Sequence, residues 1–238
     1  MKATIGIISY LPQHQPARDG RRQKLVALIK SCNWLFGIGI SIVAQGWEDE
    51  DIELIGRMGN VSIVGRHQKL GIVGARKALR EWFLGSGYTH LIMLDDDCVL
   101  KGTKESGSEY LRQIRENSGC FMEFNGTLLK LFCIPRDLMA EVDYPDMSVE
   151  NGDGFEDRMF VGMLRKRFPD RRAEFTHNGL EEMSMSSMDP LSTWYSGQDL
   201  GSMLKQTDAK LSEWEHPCAK FIETDTFSCD LQRGTFDK

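Results

Sequence analysis

The run His90-Leu91-Ile92-Met93-Leu94 is almost wholly apolar and passes without a break into Asp95-Asp96-Asp97. Apolar residues without alternation describe a strand covered on both faces, which belongs in the middle of a parallel sheet with helices above and below. Three successive carboxylates at the end of such a strand repel one another and need a cation or hydrogen-bond donors to neutralise them. A divalent metal is the economical expectation. The bland alternative, an acidic turn capping the next helix, rarely needs three carboxylates.

The surrounding pattern agrees with a parallel sheet. Residues 3–8 read as a buried strand, and residues 21–34 carry Leu25, Leu28, Ile29 and Cys32 at helical spacing. Strands are expected at 38–44 and, more weakly, at 61–64. Ile72, Ala75, Leu79, Trp82 and Phe83 then share one face of a helix that Gly85 and Gly87 stop. Residues 110–115 read as helix and 127–134 as a strand closed by Pro135. Alternating elements imply a mostly parallel α/β sheet, whose ligands gather at the carboxyl ends of the strands. Ser9, Tyr10, Gln45 and Asp95 to Asp97 all fall there.

A second acidic site follows the turn at residues 151–154. Phe160, Val161 and Leu164 lie on one face of the next helix, which puts Glu156 and Asp157 at its N-terminus. Read alone, the pair is equally well explained as ordinary helix-start acids. His177 is a candidate strand-end metal ligand, although a lone histidine is more often structural. Beyond about residue 178 the periodicity weakens into a Met- and Ser-rich, Trp-bearing region.

Composition narrows the classes. A chain of 238 residues with 41% hydrophobic content supports one large domain with a packed core. The net charge of -6 argues against holding nucleic acid by an overall field, though basic residues cluster at 18–24, 66–80 and 164–172 and keep a phosphate-bearing or polyanionic ligand open. The six cysteines lack C-x-x-C spacing, so reduced thiols and a cytoplasmic location are expected. No segment approaches the ~20 apolar residues of a membrane span. Walker, H-E-x-x-H, zinc-finger and G-x-S-x-G motifs are absent from the sequence.

Taken together, these segments resemble the GT-A glycosyltransferases, particularly the family 2 type, over about residues 3–180. Ile7-Ile8-Ser9-Tyr10 looks like the first strand with its base-packing aromatic, Gly71-Ile72-Val73-Gly74-Ala75-Arg76 like the glycine-to-arginine helix start, and Asp95-Asp96-Asp97 like the DXD motif. The resemblance implies a GT-A, Rossmann-like sheet over residues 1–180, with residues 181–238 a loop-rich acceptor side or lid of the same domain. It implies Mn²⁺ or Mg²⁺ held by Asp97, Asp95 and His177. Ser9, Tyr10, Gln45, Gly74, Arg76, Asp95 and Asp96 would bind a nucleotide diphosphate-sugar, with a UDP-sugar the first choice. Arg76 would steady the phosphates or the aspartates. Gly154-Phe155-Glu156-Asp157 resembles the motif of the catalytic base, with Asp157 favoured over Glu156 and inversion as the outcome. The acceptor is open among glycan, protein and modified nucleic acid. Two departures stand out: Ala44-Gln45-Gly46 replaces the family's base-reading aspartate, and no Q-x-x-R-W motif follows, since Trp194 and Trp214 lack that neighbourhood.

Two other readings stay open. Leu94-Asp95-Asp96-Asp97-Cys98-Val99 also fits the haloacid-dehalogenase phosphatase pattern, with Asp95 as nucleophile, Asp97 as acid/base, Lys130 on phosphate, and Asp153 and Asp157 on Mg²⁺. Against it, a long patterned stretch precedes the strand. A non-catalytic nucleotide-sugar or carbohydrate-binding module would keep the pocket without turnover.

Overall fold

The computed structural model describes residues 1–11, 15–32, 35, 37–68, 70–96, 98–100, 103–124, 131–145, 148–149, 152–153, 156–175 and 184–185. Four neighbouring parallel strands form one side of its sheet, with the third at the edge: β1 (Ala3–Tyr10), β2 (Gly39–Gln45), β3 (Val61–His67) and β4 (His90–Asp95). After the short β5 (Cys98–Val99) come β6 (Phe121–Phe124) and β7 (Phe132–Pro135), and later β8 (Ser148–Val149), β9 (Gly152–Asp153), β10 (Arg172–Phe175) and β11 (Ser184–Met185). Seven of these make one sheet in the order β10-β6-β7-β4-β1-β2-β3. Only β7 runs against its neighbours β4 and β6, so the sheet is mostly parallel.

Among the described residues six α-helices cover it: α1 (Gln15–Ser31), α2 (Asp49–Gly56), α3 (Gly71–Gly85), α4 (Lys104–Glu116), α5 (Arg136–Glu141) and α6 (Glu156–Arg167). The strand period of two sorts side chains between the layers. Ile5, Ile7, Ile92 and Leu94 pack with Leu25, Leu28 and Ile29 of α1 and with Tyr110 and Ile114 of α4. Ile8, Leu91 and Met93 pack on the other face with Val73, Leu79 and Phe83 of α3, Leu138 of α5 and Phe160 of α6. Two apolar cores thus enclose one sheet, as the expected fold class requires.

The expected strands and helices are present with shifted bounds. β3 continues to His67, six residues are added to the front of α1, and the strand expected at 127–134 is described only as β7, because residues 125–130 lie outside the described ones. Sequence periodicity missed α2, β6 and α5, which are short or carry charge among few apolar residues. Of the C-terminal region, the described residues 184–185 form β11, which pairs antiparallel with β5, immediately after the aspartates.

Candidate active site

The carboxyl ends of β1, β2, β3 and β4 form one edge. Tyr10 stands opposite Gln45, Gln45 opposite His67, and Ile8 opposite Asp95. Alternation then separates the neighbouring aspartates. Asp95 takes the side of Leu91 and Met93, where Arg76 of α3 donates from Nη2 to its Oδ1 at 2.6 Å. Asp96 turns to the other side and accepts from Ser9 Oγ at 2.6 Å and from Arg21 Nη1 of α1 at 2.6 Å. Burial raises the Asp96 carboxyl above its ordinary range, with Arg21 and Ser9 opposing. Much of the repulsion expected among the aspartates is therefore relieved by two arginines from opposite layers.

Arg76 is 2% exposed and serves two carboxylates. Besides Asp95, its Nε lies 3.5 Å from Glu156 Oε1 at the start of α6. Burial disfavours its charge, but Asp95 and Glu156 outweigh that and hold the guanidinium protonated. Its Nε and Nη1 have no hydrogen-bond partner among the described residues, which leaves two buried donors at the site. Glu156 is buried, and desolvation first, then Asp157, push its carboxyl well above the ordinary range against the pull of Arg76. Asp157 is half-buried, and its Oδ1 accepts the Arg158 N–H at 2.7 Å. Tyr144, absent from any motif, completes the wall: it is buried, stacks on Phe160 with ring centroids 4.2 Å apart, and donates to Met93 Sδ.

α6 is held in place from its far end. Glu123 of β6 is fully buried and accepts from Arg165 of α6 and from Arg172 of β10, so one carboxylate ties three elements together. Several arginines of the basic clusters at 18–24 and 164–172 are occupied in this way. Arg18 pairs with Glu48, Arg22 with Asp51, Arg167 with Glu141 and Arg171 with Asp137.

Beside the aspartates, a cavity of about 630 Å³ opens at the ends of β1 to β3. Tyr10, Leu11, Gly46, Trp47, His67 and Gln68 are among the residues that form it, and its charged rim carries both signs, with Arg18 paired to Glu48, Arg66 paired to Asp49, and Glu50 beside them. Trp47 is buried, and its indole N–H has no partner among the described residues. Gln45 does not line this cavity. It is buried, and its Oε1 accepts the Leu70 N–H at 2.6 Å. Gly71, at φ +71°, follows Leu70, and a Cβ on Gly74 would come within 2.9 Å of Leu70 Cβ, so the start of α3 needs both glycines.

No protein-family model and no curated protein matches the chain. Among solved structures, Staphylococcus aureus TarS 1-349 superposes with a TM-score of 0.56 at 12% identity, covering 75% of this chain and 59% of that one. The same TarS segment in complex with UDP-GlcNAc gives 0.53 at 11% identity, covering 76% and 61%. A cytidylyltransferase from Leptospira borgpetersenii serovar Hardjo-bovis gives 0.53 at 12% identity, covering 91% and 99%. The chain has the GT-A-like α/β fold of these structures. It spans about three fifths of the TarS segment it matches.

On this fold the expected site residues divide. Ser9, Asp95, Asp96, Arg76, Glu156 and Asp157 converge on one edge, and Tyr10 lines the cavity next to it. Asp97, Lys130, Gly154, Phe155, His177, Trp194 and Trp214 lie outside the described residues. Among the described residues no three His, Cys, Asp or Glu side chains converge as a metal cage, and no helix is long and apolar enough to cross a membrane. Arg21 and Gln45 hold roles that the motifs did not reveal. For Arg21 a signal existed: Arg18, Arg21 and Arg22 continue the inward stripe of Leu25, Leu28 and Ile29.

Proposed function

We propose that the chain transfers a sugar from a nucleotide diphosphate-sugar to an acceptor hydroxyl. The observation that carries this reading is Arg76: a buried, charged guanidinium, two of whose donors have no hydrogen-bond partner among the described residues, flanked by Asp95 and by the acidic start of α6. A diphosphate leaving group gathers negative charge as the glycosidic bond breaks, and fixed donors in a water-poor site stabilise that charge. The cavity at Tyr10 and Trp47 takes the base. Asp157, more exposed than Glu156 and beside it, accepts the acceptor's proton and gives inversion. The TarS complex with UDP-GlcNAc supports a nucleotide-sugar donor.

Asp95 suits a hard cation as one ligand. Asp95 gives one carboxylate oxygen to Arg76, its side chain is 29% exposed at the edge, and Asp97 follows it. Mn²⁺ or Mg²⁺ held by Asp95, Asp97 and His177 would add Lewis-acid neutralisation of the diphosphate. A second reading, nucleotidyl transfer, is favoured by the cytidylyltransferase, which matches over nearly its whole length. The products separate the two: glycosyl transfer releases a nucleoside diphosphate, and nucleotidyl transfer from a nucleoside triphosphate releases pyrophosphate. Thermal stability against a panel of nucleotides and nucleotide sugars, with and without Mn²⁺, tests the donor site. A ligand at a hundred times its dissociation constant adds about 2.7 kcal/mol. No shift with any nucleotide, together with hydrolysis of a simple phosphate ester, would favour the phosphatase instead.

A further inference from the structure

Gln45 sits where four segments of the active-site edge meet, without lining the cavity itself. Its backbone carbonyl accepts the Leu11 N–H at 2.8 Å, fastening the end of β1. Its side-chain Oε1 accepts the Leu70 N–H at 2.6 Å, fastening the start of α3. The next residue, Gly46, donates its N–H to His67 O at 2.9 Å, fastening the end of β3. Gly46 adopts φ +69°, and a Cβ there would lie 2.8 Å from Leu11 O, so the crossing is closed to larger residues. Leu11, Gly46 and His67, each an end of one of these bonds, are cavity-lining residues. Leu70 leads into the helix that carries Arg76.

We infer that Gln45 is a positioning residue that sets the base cavity and Arg76 in one frame, and that it does not read the base. This inference rests on the donor-site reading given above. The physical reason is the single side-chain bond. The Leu70 N–H is at the start of α3, where amides have no partner inside the helix, and Gln45 Oε1 supplies one. Losing it frees the segment between β3 and α3, and both the cavity wall at His67 and Gln68 and the placement of Arg76 loosen together.

The test compares the wild-type chain, Gln45→Met and Gln45→Glu for binding of UDP, CDP, ADP and GDP with Mn²⁺, and for hydrolysis of the preferred nucleotide sugar. Gln45→Met keeps the shape and loses the acceptor; about tenfold weaker binding of the preferred nucleotide is expected, with KM raised more than kcat is lowered. Gln45→Glu keeps an acceptor for the Leu70 amide, so it should bind within about threefold of wild type and rank the four bases in the same order. A Gln45→Glu variant that changes the base ranking overturns the inference, because replacing an amide by a carboxylate alters hydrogen bonding only to a base that the side chain touches. Wild-type affinity in a folded Gln45→Met overturns it too. If wild type binds none of the four nucleotides, the donor-site reading fails and this inference falls with it; that outcome is separated from the others by the wild-type measurement alone.

Discussion

Asp95 and Asp96 are adjacent in the chain and are neutralised from opposite layers of the molecule, Asp95 by Arg76 of α3 and Asp96 by Arg21 of α1, each at 2.6 Å. One aspartate pair thereby faces both the acidic start of α6 and the first helix. The consequence is a division of labour: Asp96 secures the end of β4 against β1 and α1, while Asp95 keeps an oxygen at the edge.

That division predicts different outcomes for neighbouring substitutions. Asp96→Ala leaves Arg21 without its carboxylate and Ser9 without its acceptor, and should lower stability by about 1–3 kcal/mol in urea unfolding. Asp97→Ala should leave the unfolding midpoint nearly unchanged and abolish the Mn²⁺-dependent part of nucleotide binding. The reverse pattern would place the metal at Asp96.

Arg76→Met leaves Asp95 and Glu156 near a vanished cation in a buried site, and a loss of about 3–5 kcal/mol is expected. Arg76→Lys should fold better but bind nucleotide diphosphates more weakly, because an ammonium cannot reproduce the forked guanidinium. Calorimetric titration of both variants with the preferred nucleotide reads this directly.

Glu156 sets a pH dependence whose sign follows from its raised carboxyl. Unfolded, it ionises near 4.5; folded, burial and Asp157 keep its proton to higher pH. The folded state then binds more protons across that window, so its contribution falls as pH rises from about 4.5 through the folded value. Glu156→Gln should match wild type near pH 4.5 and become the more stable protein as pH rises, measured by urea midpoints at several pH values. Parallel curves for the two proteins would show that Glu156 ionises normally.

Asp157→Asn should stop transfer while nucleotide binding stays within about threefold, since it removes the base and leaves Arg76 and the cavity in place. Surviving transfer would assign the base elsewhere.

The order of elements was legible in the sequence because buried parallel strands and their covering helices are written in short-range apolar periodicity, from residues 3–8 through His90–Leu94 and on to Phe160 and Leu164. The candidate chemistry was legible as well, in the triple aspartate and the Glu156-Asp157 pair, because unpaired acids beside apolar runs demand a partner. The identity of that partner was not. Arg21 lies 75 positions from Asp96, and Glu156 lies 80 from Arg76, and no local pattern marks such pairs. Gln45 stands after β2 where the resembled family has its base-reading aspartate, and its Oε1 accepts the Leu70 N–H at the start of α3. Sequence patterning therefore determined that Ser9, Asp95, Asp96, Glu156 and Asp157 reach the active edge, since strand alternation and helix stripes depend on neighbours a few positions apart. Which charge meets which, and which polar side chain faces the ligand or the backbone, was decided by the tertiary structure alone, because only packing of the two helical layers on the sheet brings those atoms within hydrogen-bonding distance.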